Sequence, residues 1–280
     1  MSIFTSVFYS GYAEKLFSGD ITEIRAFCGS ASKPALEESA GIFEEKTGIR
    51  VVLYFSGSGT ALSQMKLSRK GDLYIPGSPE YMARAAKEGI IDKKTTRIIA
   101  YLIPAMLVRK GNPRDIQKLT DLAKPGMRVA IADPESVVIG LYAVEILEKN
   151  GLLEAVGKNI VTFSESASKA ASLIPLNTVD AVIGWRVFGI WSPDNRLVLL
   201  PSDQIPRIAY IPAAVSSFSK NPDAANAFIE FLTGEEGQEI FTRWGYITSE
   251  ESAFEFSPEA AVGGEYRLPE NLSSLLGATK

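Results

Sequence analysis

The chain has 280 residues, 46% hydrophobic and 22% charged, with one Cys, no His and a formal net charge of −4. That length suits one large or two ordinary domains, and the charge balance gives no field for holding a nucleic acid. Without His there is no Ser-His-Asp or Cys-His catalysis, no imidazole metal ligand and no imidazole switch; one Cys excludes an internal disulfide and thiolate metal centres. Catalysis by carboxylate, Lys or Tyr stays open, as does binding without chemistry.

From Met1 to Phe17, the residues Ile3, Phe4, Val7, Phe8, Tyr12 and Leu16 recur at helical spacing with few charges. A basic start and a continuous apolar run are both lacking, so residues 1–20 read as an amphipathic extension, or as non-native sequence, rather than as a signal peptide. No stretch approaches the roughly 20 apolar residues that span a bilayer.

From Ile21 a β-α-β-α rhythm begins. Ile24–Cys28 reads as a strand, followed by Gly29-Ser30-Ala31-Ser32-Lys33-Pro34 and a helix through Ala35, Leu36, Ala40 and Phe43 that stops at Thr47-Gly48. Val51–Phe55 is a second strand, then Ser56-Gly57-Ser58-Gly59-Thr60 opens a helix containing Leu62, Met65 and Leu67. Asp72–Ile75, Gly77-Ser78-Pro79 and a helix from Tyr81 to Glu88 repeat the plan. Two apolar runs, Arg97–Pro104 and Arg207–Pro212, each end in Pro. Between them lie strands at Arg128–Ala132, Ile160–Phe163 and Ala181–Gly184, with helices from about Gly140 to Lys149 and through Ala170 and Leu173. Helices at Asp223–Leu232 and Glu236–Arg243 follow.

The pattern argues for α/β architecture with mainly parallel sheets. We read two Rossmann-like lobes, the second inserted in the first: residues 21–103 with 210–250, and residues 104–209. Extended crossovers near 101–104 and 208–212 join them as a two-stranded hinge. The alternative is one large sheet with both Pro-ended runs as core strands. Residues 251–280 are polar and without period, and are expected to wrap the surface or lack order.

The chemistry points to the strand ends. Gly29-Ser30 and Ser56-Gly57-Ser58-Gly59-Thr60 place Ser and Gly where a strand meets a helix. There, unpaired backbone N–H groups and the helix dipole favour an anion, and a hydroxyl adds a donor. Ser30, Ser58 and Thr60 are otherwise simple N-caps. Phosphate-loop and dinucleotide fingerprints are absent, and a nucleophilic Ser58 would have only Lys66 or Lys33 as base. Asp133 and Glu135 read as turn and cap residues. Trp185 reads as core packing or as one indole N–H offered to a ligand.

Taken in order, these segments resemble the molybdate/tungstate-binding components of ABC importers, proteins of the type II periplasmic binding protein fold. The resemblance runs from about Ile24 to Ile247. It is carried by Gly29–Pro34, Phe55–Thr60, Gly71-Asp72-Leu73-Tyr74-Ile75, Val129–Glu135 with Gly140-Leu141-Tyr142-Ala143, and the closing stretch of Phe228–Leu232, Gly234, Gln238, Ile240-Phe241 and Arg243–Tyr246. It implies a tetrahedral oxyanion held between the lobes by the hydroxyls of Ser30 and Ser58 and by backbone amides of the first lobe. The second lobe would add amides at Ile139 and Ala167. The family's tyrosine position falls on Trp185, a departure that keeps a donor but changes its reach. Some archaeal relatives add two carboxylates to the ion; Val137-Val138-Ile139 offers none.

The resemblance further implies an extracytoplasmic, monomeric protein that delivers its ion to permease subunits, with no catalysis, no cofactor and no metal beyond the oxyanion. Sulfate, chromate or a small organic anion on the same fold is the alternative, with Arg186 turned inward for a more highly charged ligand. An enzyme using Lys or carboxylates in the same cleft, and a cytoplasmic ligand sensor, stand behind it.

Overall fold

The structure, a computed structural model, describes residues 23–264 and 266–276; the N-terminal extension read above lies outside them. The first three strands, β1 (Glu23–Gly29), β2 (Arg50–Ser56) and β3 (Leu73–Ile75), each pass the chain to a helix. These are α1 (Lys33–Thr47), reached through a 3-10 turn at Ser30–Ser32, α2 (Ser58–Ser68) and α3 (Pro79–Lys87). β4 (Arg97–Leu102) completes this part of the chain.

One residue later β5 (Pro104–Arg109) starts a different sheet. It is followed by β6 (Val129–Ala132), α4 (Val138–Lys149), α5 (Leu153–Gly157) and β7 (Ile160–Ser164). Next come α6 (Ala167–Ser172), β8 (Ala181–Trp185), α7 (Phe188–Trp191) and β9 (Asn195–Leu199). The chain returns through β10 (Arg207–Val215) to α8 (Pro222–Thr233) and α9 (Glu235–Arg243), then α10 (Glu250–Phe256), β11 (Ala261–Val262) and α11 (Leu272–Leu275).

Two sheets result. One has the order β11-β10-β3-β1-β2 with β4 on β10; the other is β7-β6-β8-β5-β9. β1 runs parallel to β2 and β3, and β6 parallel to β7 and β8, so the helices must cross over on the faces. The inner strands accordingly read as continuous apolar runs buried on both sides, as at Ala181–Trp185, while the edge strands β2 and β7 are only partly buried. The architecture is α/β with two lobes, the second inserted in the first.

The first lobe's two chain segments are held together by packing. α1 buries Ala35, Leu36, Ser39, Ala40 and Phe43, a helical stripe. Phe43 sits 5.1 Å from the Phe228 ring and 5.7 Å from the Phe231 ring, both on α8. Burial of one such ring contributes about 2–3 kcal/mol, and each aromatic contact adds about 0.5–1.5 kcal/mol.

The two Pro-ended runs pair with each other antiparallel, Tyr101 opposite Tyr210 and Leu102 opposite Ala209. The chain therefore passes between the sheets along two neighbouring strands. Arg207, at the return, is held by Glu145 of α4, with Nε 3.0 Å from Oε2 and Nη2 3.0 Å from Oε1, and donates from Nη1 to the Gly263 carbonyl.

Three features escaped the sequence reading. β5 was hidden because the apolar run continues through Pro104 without a break. β9 is short, with only Val198 buried. The tail beyond Glu250 forms α10, β11 and α11, burying Ala253, Ala260, Leu272 and Leu276 against the core of the second sheet.

Candidate ligand-binding site

Parallel pairing decides where the site can be. Gly29 lies opposite Ser56 and Cys28 opposite Ile75, so β1, β2 and β3 end on one edge. In the second sheet Ala132 lies opposite Ser164, which puts the ends of β6 and β7 together. The two carboxyl edges enclose a cavity, the expected place for a ligand in open α/β sheets. Gly29 to Ala31, Ser56 to Ser58 and Gly77 line it from one lobe; Val137 to Ile139, Ala167 and Trp185 line it from the other. All five residues singled out from the sequence, Ser30, Ser58, Ile139, Ala167 and Trp185, meet here. The cavity is small, about 10 Å³, on the scale of one water-sized sphere.

Both serines are buried, and both oxygens are already committed as acceptors. Ser58 Oγ accepts the Gly77 N–H at 3.0 Å, and Ser30 Oγ accepts the Ser168 N–H at 3.1 Å. A hydroxyl that accepts from an amide still has one proton to give. Among the described residues neither proton has a protein acceptor, so both are available to the cavity. Neither serine acts as a side-chain N-cap: the 3-10 turn and α2 both start without such a bond.

The loops carrying these serines are braced from behind. Ser32 Oγ donates to the Gly29 carbonyl at 3.0 Å, and Tyr246 Oη donates to the Ala31 carbonyl at 2.5 Å. Tyr74 Oη donates to the Ser58 carbonyl at 2.9 Å. Burial pushes the pKa of the Tyr74 and Tyr246 hydroxyls well above the ordinary tyrosine value, which keeps both as donors.

The second lobe offers main chain. α4 begins at Val138 without a side-chain cap, so its first amides lack a partner within the helix, and Val138 and Ile139 line the cavity. It reaches this position because residue 140 is Gly: a Cβ there would stand 2.2 Å from the Ala132 carbonyl oxygen at the end of β6. Ala167 opens α6, capped by Ser166 Oγ accepting from Lys169 N–H. Trp185 is 1% exposed, with its ring edge-on to Tyr142 at 5.4 Å. Among the described residues its indole N–H has no hydrogen-bond partner.

The lobes touch directly. Besides the bond from Ser168 to Ser30, the Gly59 N–H reaches the Ser136 carbonyl at 3.3 Å and Tyr81 Oη the Glu135 carbonyl at 3.3 Å. Tyr142 Oη donates to Glu80 Oε1 at 2.9 Å. Gly57 permits this approach, since a Cβ on it would lie 2.9 Å from the Ser136 oxygen and 3.1 Å from a Val137 methyl. This is a closed arrangement.

No charged side chain lines the cavity. Arg186, offered above as an inward-turning group, instead donates to the Gly245 carbonyl at 3.1 Å and lies over the Phe256 ring at 4.8 Å. It does not reach the cavity. Lys33 sits over the Phe55 ring and near Glu37, and Lys66 pairs with Glu88, so neither is a base for Ser58. Asp133 accepts from the Glu135 N–H and the Ser136 hydroxyl, a turn role. Among the described residues no group of acidic, His or Cys side chains could hold a metal ion.

Sequence reasoning missed the supports: Gly77, Ser168, Tyr74 and Tyr142. Gly77 and Ser168 act through amides, which every residue has, and no residue type marks them. The tyrosines stand within apolar runs and read as core.

Residues 24–247 match the profile described as bacterial extracellular solute-binding protein, and the chain belongs to that family. The molybdate-binding protein ModA of Escherichia coli is 26% identical over 233 residues, covering 81% of this chain and 90% of that protein. The Azotobacter vinelandii periplasmic molybdate-binding protein has a similar structure, with TM-score 0.72 at 18% identity over 81% of this chain and all of that one. So does the sulfate-binding protein SubI of Mycobacterium tuberculosis H37Rv, with TM-score 0.73 at 19% identity over 86% and 93%. The chain is thus a solute-binding protein, not an enzyme, and needs no cofactor. No helix among the described residues is long and apolar enough to cross a membrane.

Proposed function

We propose that this member of the extracellular solute-binding family captures a tetrahedral oxyanion, molybdate or tungstate, between its lobes and delivers it to an ABC importer outside the cytoplasmic membrane. The observation that carries the reading is a cavity without charged side chains in which two serine protons have no protein acceptor. In this reading Ser30 and Ser58 donate O–H groups, Ile139 and Ala167 donate amides, and Trp185 offers its indole N–H. The N-termini of α2 and α4 share the ion's charge.

A donor-only cage selects by geometry and protonation. Every contact requires a lone pair on the ligand, so a protonated oxyanion would set one O–H against a donor. Opening and closing would use the paired strands β4 and β10 and the residues at 102–104, and the closed surface is what permease subunits would meet. We read the protein as a monomer in this role.

Calorimetry with molybdate, tungstate, sulfate, chromate and phosphate tests the assignment. Saturable binding strongest for molybdate or tungstate is expected; heat with none of the five would overturn it. Trp185 keeps a second reading in view, that the same cage prefers sulfate or chromate, because its indole sets the size of one wall. The order of affinities separates the two.

A further inference from the structure

We propose that Tyr142 and Glu80 are positioning residues that form a clasp closing with the lobes and slowing escape of the bound ion; this rests on the function proposed above. Tyr142 follows the cavity residue Ile139 by one turn of α4, and its ring packs edge-on against Trp185 at 5.4 Å. Glu80 stands three residues after the cavity residue Gly77, in the first turn of α3. The bond from Tyr142 Oη to Glu80 Oε1, 2.9 Å, therefore ties the two cavity walls together directly behind the site.

The carboxylate makes this tie conditional on closure. Among the described residues, Tyr142 is the only hydrogen-bond donor on the Glu80 side chain. Glu80 Oε2 is buried and has no partner. In an open molecule water would solvate both oxygens. On closing, the tyrosine hydroxyl replaces part of that solvation, and without it Glu80 would lose the one hydrogen bond that the described residues give its side chain while Oε2 stays buried and unpartnered. Tyr142 suits the task because burial and the neighbouring Glu80 hold its pKa well above the usual tyrosine value, keeping the proton on the oxygen. Its contact with Trp185 places the clasp against the same side chain that walls the ion.

The test measures molybdate affinity, molybdate release by exchange against labelled molybdate, and thermal stability with and without the ion, in the full chain. Tyr142→Phe should weaken binding by about tenfold or more, mostly through faster release, with the order of oxyanion preference and the ligand-free melting temperature unchanged. Adding Glu80→Leu to Tyr142→Phe should recover most of the lost affinity, because no carboxylate is then left bare. Unchanged affinity in Tyr142→Phe, or no recovery in the double variant, would overturn the clasp. So would equal loss of stability with and without molybdate, the mark of a merely structural contact. If the unaltered protein binds none of the oxyanions, the proposed function fails and the clasp's role fails with it.

Discussion

The two walls of the cavity solve one problem with different materials. The first lobe presents side chains: Ser30 and Ser58, each with its oxygen engaged by an amide so that its proton points elsewhere. The second lobe presents main chain at the starts of α4 and α6, with Trp185 beside them and the apolar Val137 and Val138 around them. A donor made of side chain can be deleted by substitution. A donor made of backbone can only be displaced, by changing the shape that holds its helix in place. The two lobes should therefore fail differently when altered.

The largest expected effect comes from shape. Gly140→Ala would drive a Cβ to 2.2 Å from the Ala132 carbonyl oxygen, forcing the start of α4 away from the cavity. We expect loss of measurable oxyanion binding together with destabilisation of about 1–3 kcal/mol, read by calorimetry and chemical denaturation. Retained affinity would mean that the α4 amides do not hold the ligand.

Deleting the side-chain donors is the cleaner operation. Ser30→Ala and Ser58→Ala should each weaken binding by about 1–3 kcal/mol, the cost of leaving a buried anion one donor short. Ser58→Ala should be the more severe for the ligand-free protein, since it also strands the buried Gly77 N–H. Ser30 loses only a contact made across the cleft, so its ligand-free melting temperature should stay near that of the unaltered protein. Equal effects of the two substitutions on ligand-free stability would contradict this division.

What the sequence disclosed follows the same line. Ser30 and Ser58 were legible because a Ser beside Gly at a strand-to-helix junction is a chemical signature. Ile139 and Ala167 were reached only through resemblance, since an amide leaves no mark in residue type. The α/β rhythm was legible because strands buried on both faces are unbroken apolar runs. For the same reason β5 was not: nothing interrupts the run at Pro104, although the chain changes sheets there. For the tail, wrapping the surface and lacking order were both left open; its elements α10, β11 and α11 were not legible because only isolated residues, Ala253, Ala260, Leu272 and Leu276, reach the core. The supports Tyr74, Tyr142 and Tyr246 look like core residues until their hydroxyls are placed.

Trp185→Tyr probes the one side chain of the second wall that carries a donor. It should change affinity by less than the serine deletions but alter the order among molybdate, tungstate and sulfate, as measured by competition. An unchanged order would mean the indole does not select.

The smallest effect lies away from the cavity and serves as a control for the second lobe. Asp121 accepts from Lys124 Nζ at 2.8 Å and from the amides of Gln117 at 2.8 Å and Lys118 at 3.0 Å. Together these hold its carboxyl down at about 2, with the Lys124 bond the largest cause. Because the folded value is depressed, its contribution is present above the unfolded value of about 4 and lost as pH falls toward 2. Asp121→Asn should lower the melting temperature at neutral pH by about 2–4 °C, with the difference vanishing near pH 2 and oxyanion affinity at neutral pH unaltered.

In the proposed function, uncharged donors from both lobes hold one inorganic oxyanion. The most direct measurement is a crystal structure with molybdate, with anomalous data collected at the molybdenum edge. One strong peak is expected inside the cavity, its oxygens within hydrogen-bond reach of the Ser30 and Ser58 hydroxyls and of the amides at Ile139 and Ala167, with no Lys or Arg side chain touching it. A peak elsewhere, or one in the cavity held by a charged side chain that has swung inward, would contradict it.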